Sequence, residues 1–180
     1  MADELTEKAL KLAPRFWRAQ AARAVYYCAR NRFDLAETYF NEALHLDRDN
    51  TESRTFYSIF LVKNHQSTAA LELTGRLADQ NFTCPTAQTV FGIHLCRHDK
   101  LEEAKTSFSK ALTIDRNFWY AHMGLAHVQL RLQDLAEAKR HANRARVLLD
   151  DDAQYEFWMS HFKLSDVANE ADNSPAPQVT

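Results

Sequence analysis

Small and apolar residues recur along this chain at a fixed interval of 34 positions. The most regular series consists of alanines and comprises Ala36, Ala70, Ala104 and Ala138. A second series of small residues lies 12 places earlier and comprises Ala24, Ser58, Gly92 and Ala126. A third series lies seven places after the first and comprises Ala43, Leu77, Ala111 and Ala145. Such a period is typical of repeat proteins, and four units tile without gaps as 17–50, 51–84, 85–118 and 119–152.

Within each unit the pattern predicts two α-helices of about 14 residues, joined by a short polar break. The breaks are Asn31-Arg32, His65-Gln66, Asp99-Lys100 and Gln133-Asp134. Small residues at fixed places let two helix backbones approach closely, while large neighbours such as Phe40 and Phe108 fill the space between them. One hairpin cannot bury its apolar face alone, whereas stacked hairpins form a continuous core. The sequence therefore predicts an all-α stack of antiparallel helix hairpins.

Both ends of the chain follow the same register. Residues 1–16 match the second helix of a repeat whose first helix is missing. Ala9 lies 34 residues before Ala43 and so extends the third series by one repeat. Either the chain has been cut from a longer array, or this helix caps the stack. After the fourth unit, residues 153–170 predict a C-terminal capping helix, and the proline-containing residues 171–180 predict a disordered tail.

Composition and charge narrow the classes of protein further. The chain has 22 Lys and Arg against 24 Asp and Glu, a formal net charge of −2, without the basic excess typical of nucleic-acid-binding proteins. Only 3 Gly and 4 Pro occur, which argues against all-β sandwiches and barrels with their many turns. No apolar run approaches the roughly 18 residues of a membrane span, and the N-terminus lacks the pattern of a secretory signal. We expect a soluble, cytoplasmic protein, although a leader already removed would leave no trace.

Candidates for catalysis or metal binding are few. His94 and His98 are four apart on one predicted helix, a spacing that can bind a metal, but no third ligand accompanies them at helical spacing. Cys96 lies between them, and together with Cys28 and Cys84 it forms no CxxC pair. The 3 glycines are isolated, so no phosphate-binding loop is present. We expect no catalytic residue, no metal site and no cofactor. A metal- or redox-dependent protein built on His94, Cys96 and His98 is the alternative.

The third unit resembles the tetratricopeptide repeat, a helix–turn–helix unit of the same length. The matching residues are Gly92-Ile93-His94-Leu95, Leu101-Glu102-Glu103-Ala104, Phe108 and Ala111-Leu112. The first unit follows with Trp17, Ala24, Tyr27, Ala36, Phe40 and Ala43-Leu44. The resemblance covers residues 17–152 and implies a right-handed α-solenoid of antiparallel helix hairpins, in which the first helices line a concave groove. It also implies a non-catalytic protein–protein interaction module.

Aligned by the repeat register, the groove-facing places are mostly apolar and have a basic edge. The apolar places hold Val25, Cys28, Ile59, Val62, Ile93, Cys96, Met123 and His127, and the edge holds Lys63, Arg97 and Arg131. Such a groove suits a protein or peptide segment with apolar anchors and some acidic residues, and no nucleic acid. Alternatively, some of these residues contact neighbouring repeats rather than solvent.

Narrower resemblances leave the biological role open. Phe60-Leu61 and Gly92-Ile93-His94-Leu95-Cys96 make the chain similar to bacterial type IV pilus biogenesis lipoproteins. Its size and closing helix make it similar to type III secretion translocator chaperones, which hold an extended partner segment in the groove. The role would then be that of a secretion or pilus-assembly chaperone rather than a general scaffold, adaptor or assembly factor. The half-unit at the N-terminus favours another alternative, a regulatory domain cut from a larger enzyme or regulator.

Overall fold

The computed structural model describes residues 2–48 and 50–164, which form ten α-helices and no β-strand. The chain divides into two compact units between Asn81 and Phe82. The first unit contains α1 (Ala2–Leu12), α2 (Trp17–Ala29), α3 (Phe33–Leu46), α4 (Thr51–Lys63) and α5 (Ser67–Gln80). The second contains α6 (Pro85–Arg97), α7 (Leu101–Ile114), α8 (Trp119–Arg131), α9 (Leu135–Leu149) and α10 (Asp152–His161). The prediction of an all-α fold of antiparallel hairpins is confirmed.

The four polar breaks predicted from the sequence are the turns between paired helices. Their left-handed residues are Asn31, His65, Asp99 and Gln133, with φ of 58°, 60°, 61° and 64°. At the last of these turns, the Asp134 N–H donates to the Gln129 carbonyl at 2.9 Å and the Gln133 N–H donates to the Leu130 carbonyl at 3.0 Å. This pair of bonds is a Schellman motif, which satisfies the last carbonyls of a helix and turns the chain. The same pair recurs at the other three turns, so each second helix returns antiparallel to its first.

The starts of several helices are also specified by local sequence. The Asn50 side chain accepts a hydrogen bond from the Ser53 N–H at 2.9 Å. The Asp134 carboxylate accepts one from the Glu137 N–H at 3.1 Å. Pro85 is the first residue of α6, where its missing N–H would have no partner within the helix. Capping therefore satisfies donors that the helices cannot satisfy internally.

Aromatic rings fill the core of the first unit. Phe40 of α3 is fully buried, and its ring centroid lies 5.5 Å from that of Phe60 on α4. The N-terminal helix α1 is attached to α2 through Arg23, whose guanidinium bonds the Asp3 carboxylate and lies 4.8 Å from the Tyr27 ring centroid. Contacts to α2 thus hold α1 at the edge of this unit, even though α1 buries no residue completely.

Phe108 occupies the equivalent place in the second unit, where two glycines flank its ring. The ring is fully buried and reaches from α7 toward Gly92 of α6 and Gly124 of α8. A Cβ built at Gly92 would lie 2.8 Å from the nearest ring carbon, and one at Gly124 would lie 2.3 Å away. Both distances are well inside van der Waals contact. The expected close contact at Gly92 is therefore present, and Gly124 adds a tighter one.

The C-terminal helix is shorter than the predicted span of 153–170. α10 ends at His161, Lys163 has a left-handed φ of 55°, and the Leu164 N–H donates to the Met159 carbonyl at 2.8 Å. Met159 and Leu164 are both buried in one cluster, and this apolar contact accompanies the Schellman motif that ends the helix. The rest of the predicted helix and the predicted tail at 171–180 lie outside the described residues.

Candidate partner-binding cleft

An open cleft of about 900 Å³ lies in the second unit, on the face formed by the first helices α6 and α8 and by the end of α10. We call it the partner cleft. Its lining residues are Ile93, Cys96, Arg97, Asp99, Phe108, His127, Leu130, Arg131, His161, Phe162 and Lys163. Ile93 and Leu130 pack against the buried cluster that contains Phe162. The cleft therefore has an apolar floor that is continuous with the core.

Basic side chains dominate the rim of the partner cleft. Arg97 and Lys163 are exposed. Arg131 donates from Nη2 to the Asp99 carboxylate at 2.6 Å and from Nη1 to the Cys96 carbonyl at 2.8 Å. Arg131 therefore joins the end of α6 to α8, and Asp99 offsets part of its charge. Three fixed positive charges against one carboxylate leave the described lining with a positive excess.

His127 fixes the C-terminal segment that forms one wall of the cleft. Its Nδ1–H donates to the Phe162 carbonyl at 2.6 Å. Burial lowers the pKa of His127, with Arg131 and Lys163 acting in the same direction, while the bond to Phe162 opposes this shift. The lowered pKa favours the neutral imidazole, and the Phe162 carbonyl, which can only accept, holds the proton on Nδ1. The predicted groove residue His127 therefore positions the wall of the cleft as well as lining it.

Met123 lies elsewhere than expected. Its side chain is 0% exposed and packs in the cluster with Met159, Phe162 and Leu164. The expectation that Met123 lines the groove is wrong, because Phe162 and Leu164, which follow α10, pack in the same buried cluster. Cys96 is also buried, at 7% exposure, although it borders the cleft.

The first unit presents its own predicted groove residues on α2 and α4, which pack against each other. Val25 is 42% exposed and Ile59 is 47% exposed. Val62 is half-buried and Lys63 is exposed, whereas Cys28 is buried. This unit therefore leaves two large apolar side chains and one basic side chain open to solvent at the places that the register assigned to the groove.

The residues suggested for metal or redox chemistry have environments that favour a structural role. Burial raises the pKa of the Cys96 thiol to about 11, so almost no thiolate, the reactive form, exists at neutral pH. Burial lowers the pKa of His94 to about 4, with smaller effects of Arg97 and His98 in the same direction. Within residues 2–48 and 50–164, no three His, Cys, Asp or Glu side chains are grouped closely enough to hold a metal ion.

A buried histidine pair was missed by the sequence analysis. His122 Nδ1 and His141 Nδ1 are 2.9 Å apart. Arg140 donates to His141 Nε2 at 3.2 Å, so His141 carries its proton on Nδ1 and donates it to His122. His122 in turn donates from Nε2 to the Arg116 carbonyl at 3.2 Å. The repeat register is the sequence feature that relates this pair to another. Gln88 and Ser107 lie 34 places before His122 and His141, and the Ser107 hydroxyl donates to the Gln88 carbonyl at 2.9 Å.

This histidine pair should make the stability of the protein depend on pH. The pKa of His141 is lowered from 6.5 to about 4, mainly by burial and to a smaller extent by Arg140 and His122, while Glu137 opposes the shift. Because the unfolded chain binds the proton more readily, stability is complete above about pH 6.5 and is lost as the pH falls toward 4. We expect the titration of His141 to lower the free energy of unfolding by about 1–2 kcal/mol between about pH 7 and pH 5.

The measurement is urea unfolding at both pH values for the wild type and for His141→Leu. Leucine is the residue that the first unit carries at the equivalent place, Leu73. The variant should lose less stability on acidification than the wild type. An equal loss in both proteins would show that the pair does not carry this dependence.

No helix in the described part of the chain combines the length and the apolar character required to cross a membrane.

Comparisons with known proteins place this architecture. No protein-family model and no curated protein matches the chain. Among solved structures, the type IV pilus biogenesis factor PilW has a TM-score of 0.68 at 20% identity, covering 93% of this chain and 77% of PilW. PilF of Pseudomonas aeruginosa has a TM-score of 0.65 at 21% identity, covering 92% of this chain and 77% of PilF. YrrB, a TPR protein with an unusual peptide-binding site, has a TM-score of 0.58 at 21% identity, covering 84% and 78%. The chain has the tetratricopeptide-repeat fold.

Proposed function

We propose that this chain is a non-catalytic protein–protein interaction module that binds a partner segment in the partner cleft. The observation that carries the proposal is an open cleft of about 900 Å³ with an apolar floor and a basic rim. Ile93 and Leu130 would receive apolar anchors of the partner. Arg97 and Lys163 would face its acidic residues. The peptide-binding site named for YrrB supports this use of the fold.

The two parts of the cleft contribute differently to binding. Burial of apolar anchors in a desolvated pocket provides most of the affinity in peptide recognition. Exposed rim charges mainly accelerate association and discriminate against basic partners, and salt screens them. Because Asp99 already pairs with Arg131 at 2.6 Å, Arg97 and Lys163 are the charges most open to a partner. A segment that alternates apolar and acidic residues matches both parts.

The exposed apolar face of the first unit fits the same proposal. Val25 and Ile59 occupy the register places that Ile93 and His127 occupy in the second unit. Lys63 has the same place as Arg97 and Arg131. We propose that Val25, Ile59, Val62 and Lys63 provide further contacts for a partner, with Cys28 as buried support.

Nuclear magnetic resonance can locate the binding site directly. The probe is a panel of short peptides that place leucine or phenylalanine among aspartate and glutamate residues. We expect the best-binding peptide to shift the resonances of Ile93, Arg97, His127 and Leu130, because these residues line the partner cleft. Resonances of Lys110 and Ile114, on the exposed surface of α7, serve as the internal reference. Shifts confined to residues outside the partner cleft would contradict the proposed site.

A role in pilus assembly is the second candidate function. The pilus biogenesis factor PilW is similar in fold over 93% of this chain. PilF of Pseudomonas aeruginosa is similar in fold over 92% of it. Deleting the gene in its own host and counting surface pili by electron microscopy tests this role. If deletion removes the pili, the wild-type gene should restore them and a gene encoding Ile93→Asp should not. That result would link the role in pilus assembly to the partner cleft. An unchanged number of pili would reject it.

A further inference from the structure

A second cleft, of about 490 Å³, lies in the first unit between the second helices α3 and α5, and α4 contributes to its lining. We call it the basic cleft. Its lining residues are Asn41, Leu44, His45, Arg48, Arg54, Tyr57, Leu73, Arg76 and Gln80. Three arginines and one histidine line the basic cleft, and no carboxylate of the described residues does. All these residues belong to the first unit, so the basic cleft shares no residue with the partner cleft.

The walls of the basic cleft strengthen the field of its arginines. Leu44, Tyr57 and Leu73 are half-buried apolar side chains, and the Tyr57 ring stacks on Phe60 with centroids 5.5 Å apart. A cleft of one charge sign with walls of low dielectric constant focuses the electric field and concentrates ions of opposite charge. Arg54 donates to the Gln80 side-chain oxygen at 2.9 Å, and this bond fixes the direction of its guanidinium.

The carboxylate of Glu72 offsets little of the charge of Arg76. Glu72 pairs with Arg76 at 3.5 Å, but both side chains are more than half exposed, at 63% and 75%. Such exposed pairs contribute little energy and exchange readily with other partners. Glu37 acts on the Tyr57 hydroxyl, whose pKa is raised mainly by burial and secondarily by this carboxylate. Glu37 itself is exposed and does not line the cleft.

The second unit offers an internal comparison at the same register. A cleft there lies between α7 and α9, and its charged lining is mixed: Lys105, Arg116, Asp134, Glu137, Arg140 and His141. Arg140 and Glu137 form an ion pair at 2.6 Å. The places of Arg54 and Leu73 are taken by His122 and His141. Arg48 and Arg76 have register counterparts in Arg116 and Arg144, but the places of Asp134 and Glu137 are taken in the first unit by Gln66 and Ala69. The second unit therefore balances its basic residues with carboxylates that the described lining of the basic cleft lacks.

We propose that the basic cleft binds an acidic peptide segment, rich in aspartate and glutamate, of a protein partner. Guanidinium groups offer paired donors that match the geometry of a carboxylate. Leu44, Tyr57 and Leu73 offer apolar contact beside the arginines, and the arginines select the segment by its negative charge. Recognition at the basic cleft therefore requires an acidic segment, whereas the partner cleft requires apolar anchors.

Fluorescence anisotropy with a labelled peptide made only of aspartate, glutamate and glycine tests this proposal. We expect the peptide to bind, and its affinity to fall about tenfold or more from low to physiological ionic strength, because screening weakens exposed charges. The double variant Arg48→Glu/Arg76→Glu should weaken binding at low ionic strength at least about tenfold. The matched control, Arg15→Glu/Arg32→Glu, reverses two exposed arginines of the same unit outside the cleft and should retain most of the affinity.

Two further measurements distinguish the basic cleft from the partner cleft and from a nucleic-acid site. The variant Arg97→Glu/Lys163→Glu should bind this peptide as the wild type does, whatever happens at the partner cleft. Circular dichroism checks that all variants remain helical. Equal binding by Arg48→Glu/Arg76→Glu and the wild type would overturn the proposal, as would an equal loss in the control variant. Tighter binding of a single-stranded RNA of equal charge would also overturn it, in favour of a nucleic-acid site.

Discussion

Replacing Gly124 with alanine is expected to lower the free energy of unfolding by about 1–3 kcal/mol, the usual cost of overpacking a core. At an unconstrained helix position the same change would stabilise the helix by about 1 kcal/mol. The opposite sign is expected here because the new Cβ would lie 2.3 Å from a carbon of the Phe108 ring. That ring is fully buried and lies between Gly92 and Gly124. Urea unfolding of the two proteins measures the difference.

A double-mutant cycle identifies the cause of this effect. Phe108→Leu alone removes part of a fully buried side chain and should itself destabilise the protein. In that background, Gly124→Ala should cost clearly less, because the ring that the Cβ would contact is absent. Residues in contact typically show coupling energies of about 0.5–3 kcal/mol in such cycles. Additive effects of the two changes would show that Gly124 does not accommodate Phe108.

The second large effect concerns the partner cleft. Ile93→Asp places a charge on the apolar floor, where desolvation without a partner is unfavourable. We expect the affinity for the best peptide of the panel to fall more than about tenfold, which corresponds to at least about 1.4 kcal/mol. Ile114→Asp makes the same change at an exposed place of α7 and should leave binding unchanged. Circular dichroism and thermal melts separate loss of binding from loss of fold.

The fold could be predicted from the sequence because the same helix–helix contacts recur in four repeats, and each places small or apolar residues at the same positions. Series such as Ala36, Ala70, Ala104 and Ala138 mark places where two helices meet, and all four side chains are fully buried. The polar breaks also carried a local signal, although none of their left-handed residues is glycine. The paired hydrogen bonds of the Schellman motif compensate for that conformation. The interval of 34 positions thus outweighed weak propensities at single residues.

The partner cleft was harder to predict because it depends on contacts that do not repeat. Met123 has the register of a groove residue, yet Phe162 and Leu164 cover it. Phe162 and Leu164 follow the end of α10, at a Schellman motif around Lys163 where the sequence offers no glycine. Arg131 was assigned to the rim from its place, but its bonds to Asp99 and Cys96 give it a structural role as well. Side-chain partners of this kind depend on three-dimensional neighbours rather than on periodicity.

The histidine pair illustrates the same limit within the repeat itself. His122 and His141 occupy the register of Gln88 and Ser107, so the contact of one pair indicates the contact of the other. The register does not predict the tautomers of the two imidazoles, because these depend on the Arg140 side chain and the Arg116 carbonyl. The register therefore relates equivalent contacts in different repeats, whereas the protonation and hydrogen-bond direction of each contact depend on its three-dimensional neighbours.

Isothermal titration calorimetry at low and high ionic strength tests the central claim, that the partner cleft binds a segment with apolar anchors and acidic residues. We predict that the best peptide of the panel loses nearly all affinity for Ile93→Asp at both ionic strengths. For Arg97→Glu/Lys163→Glu, we predict a loss of about tenfold at low ionic strength and a much smaller one at high ionic strength. Lys110→Glu and Ile114→Asp should bind like the wild type. If Ile93→Asp remains folded and binds with wild-type affinity, the partner cleft is not the binding site.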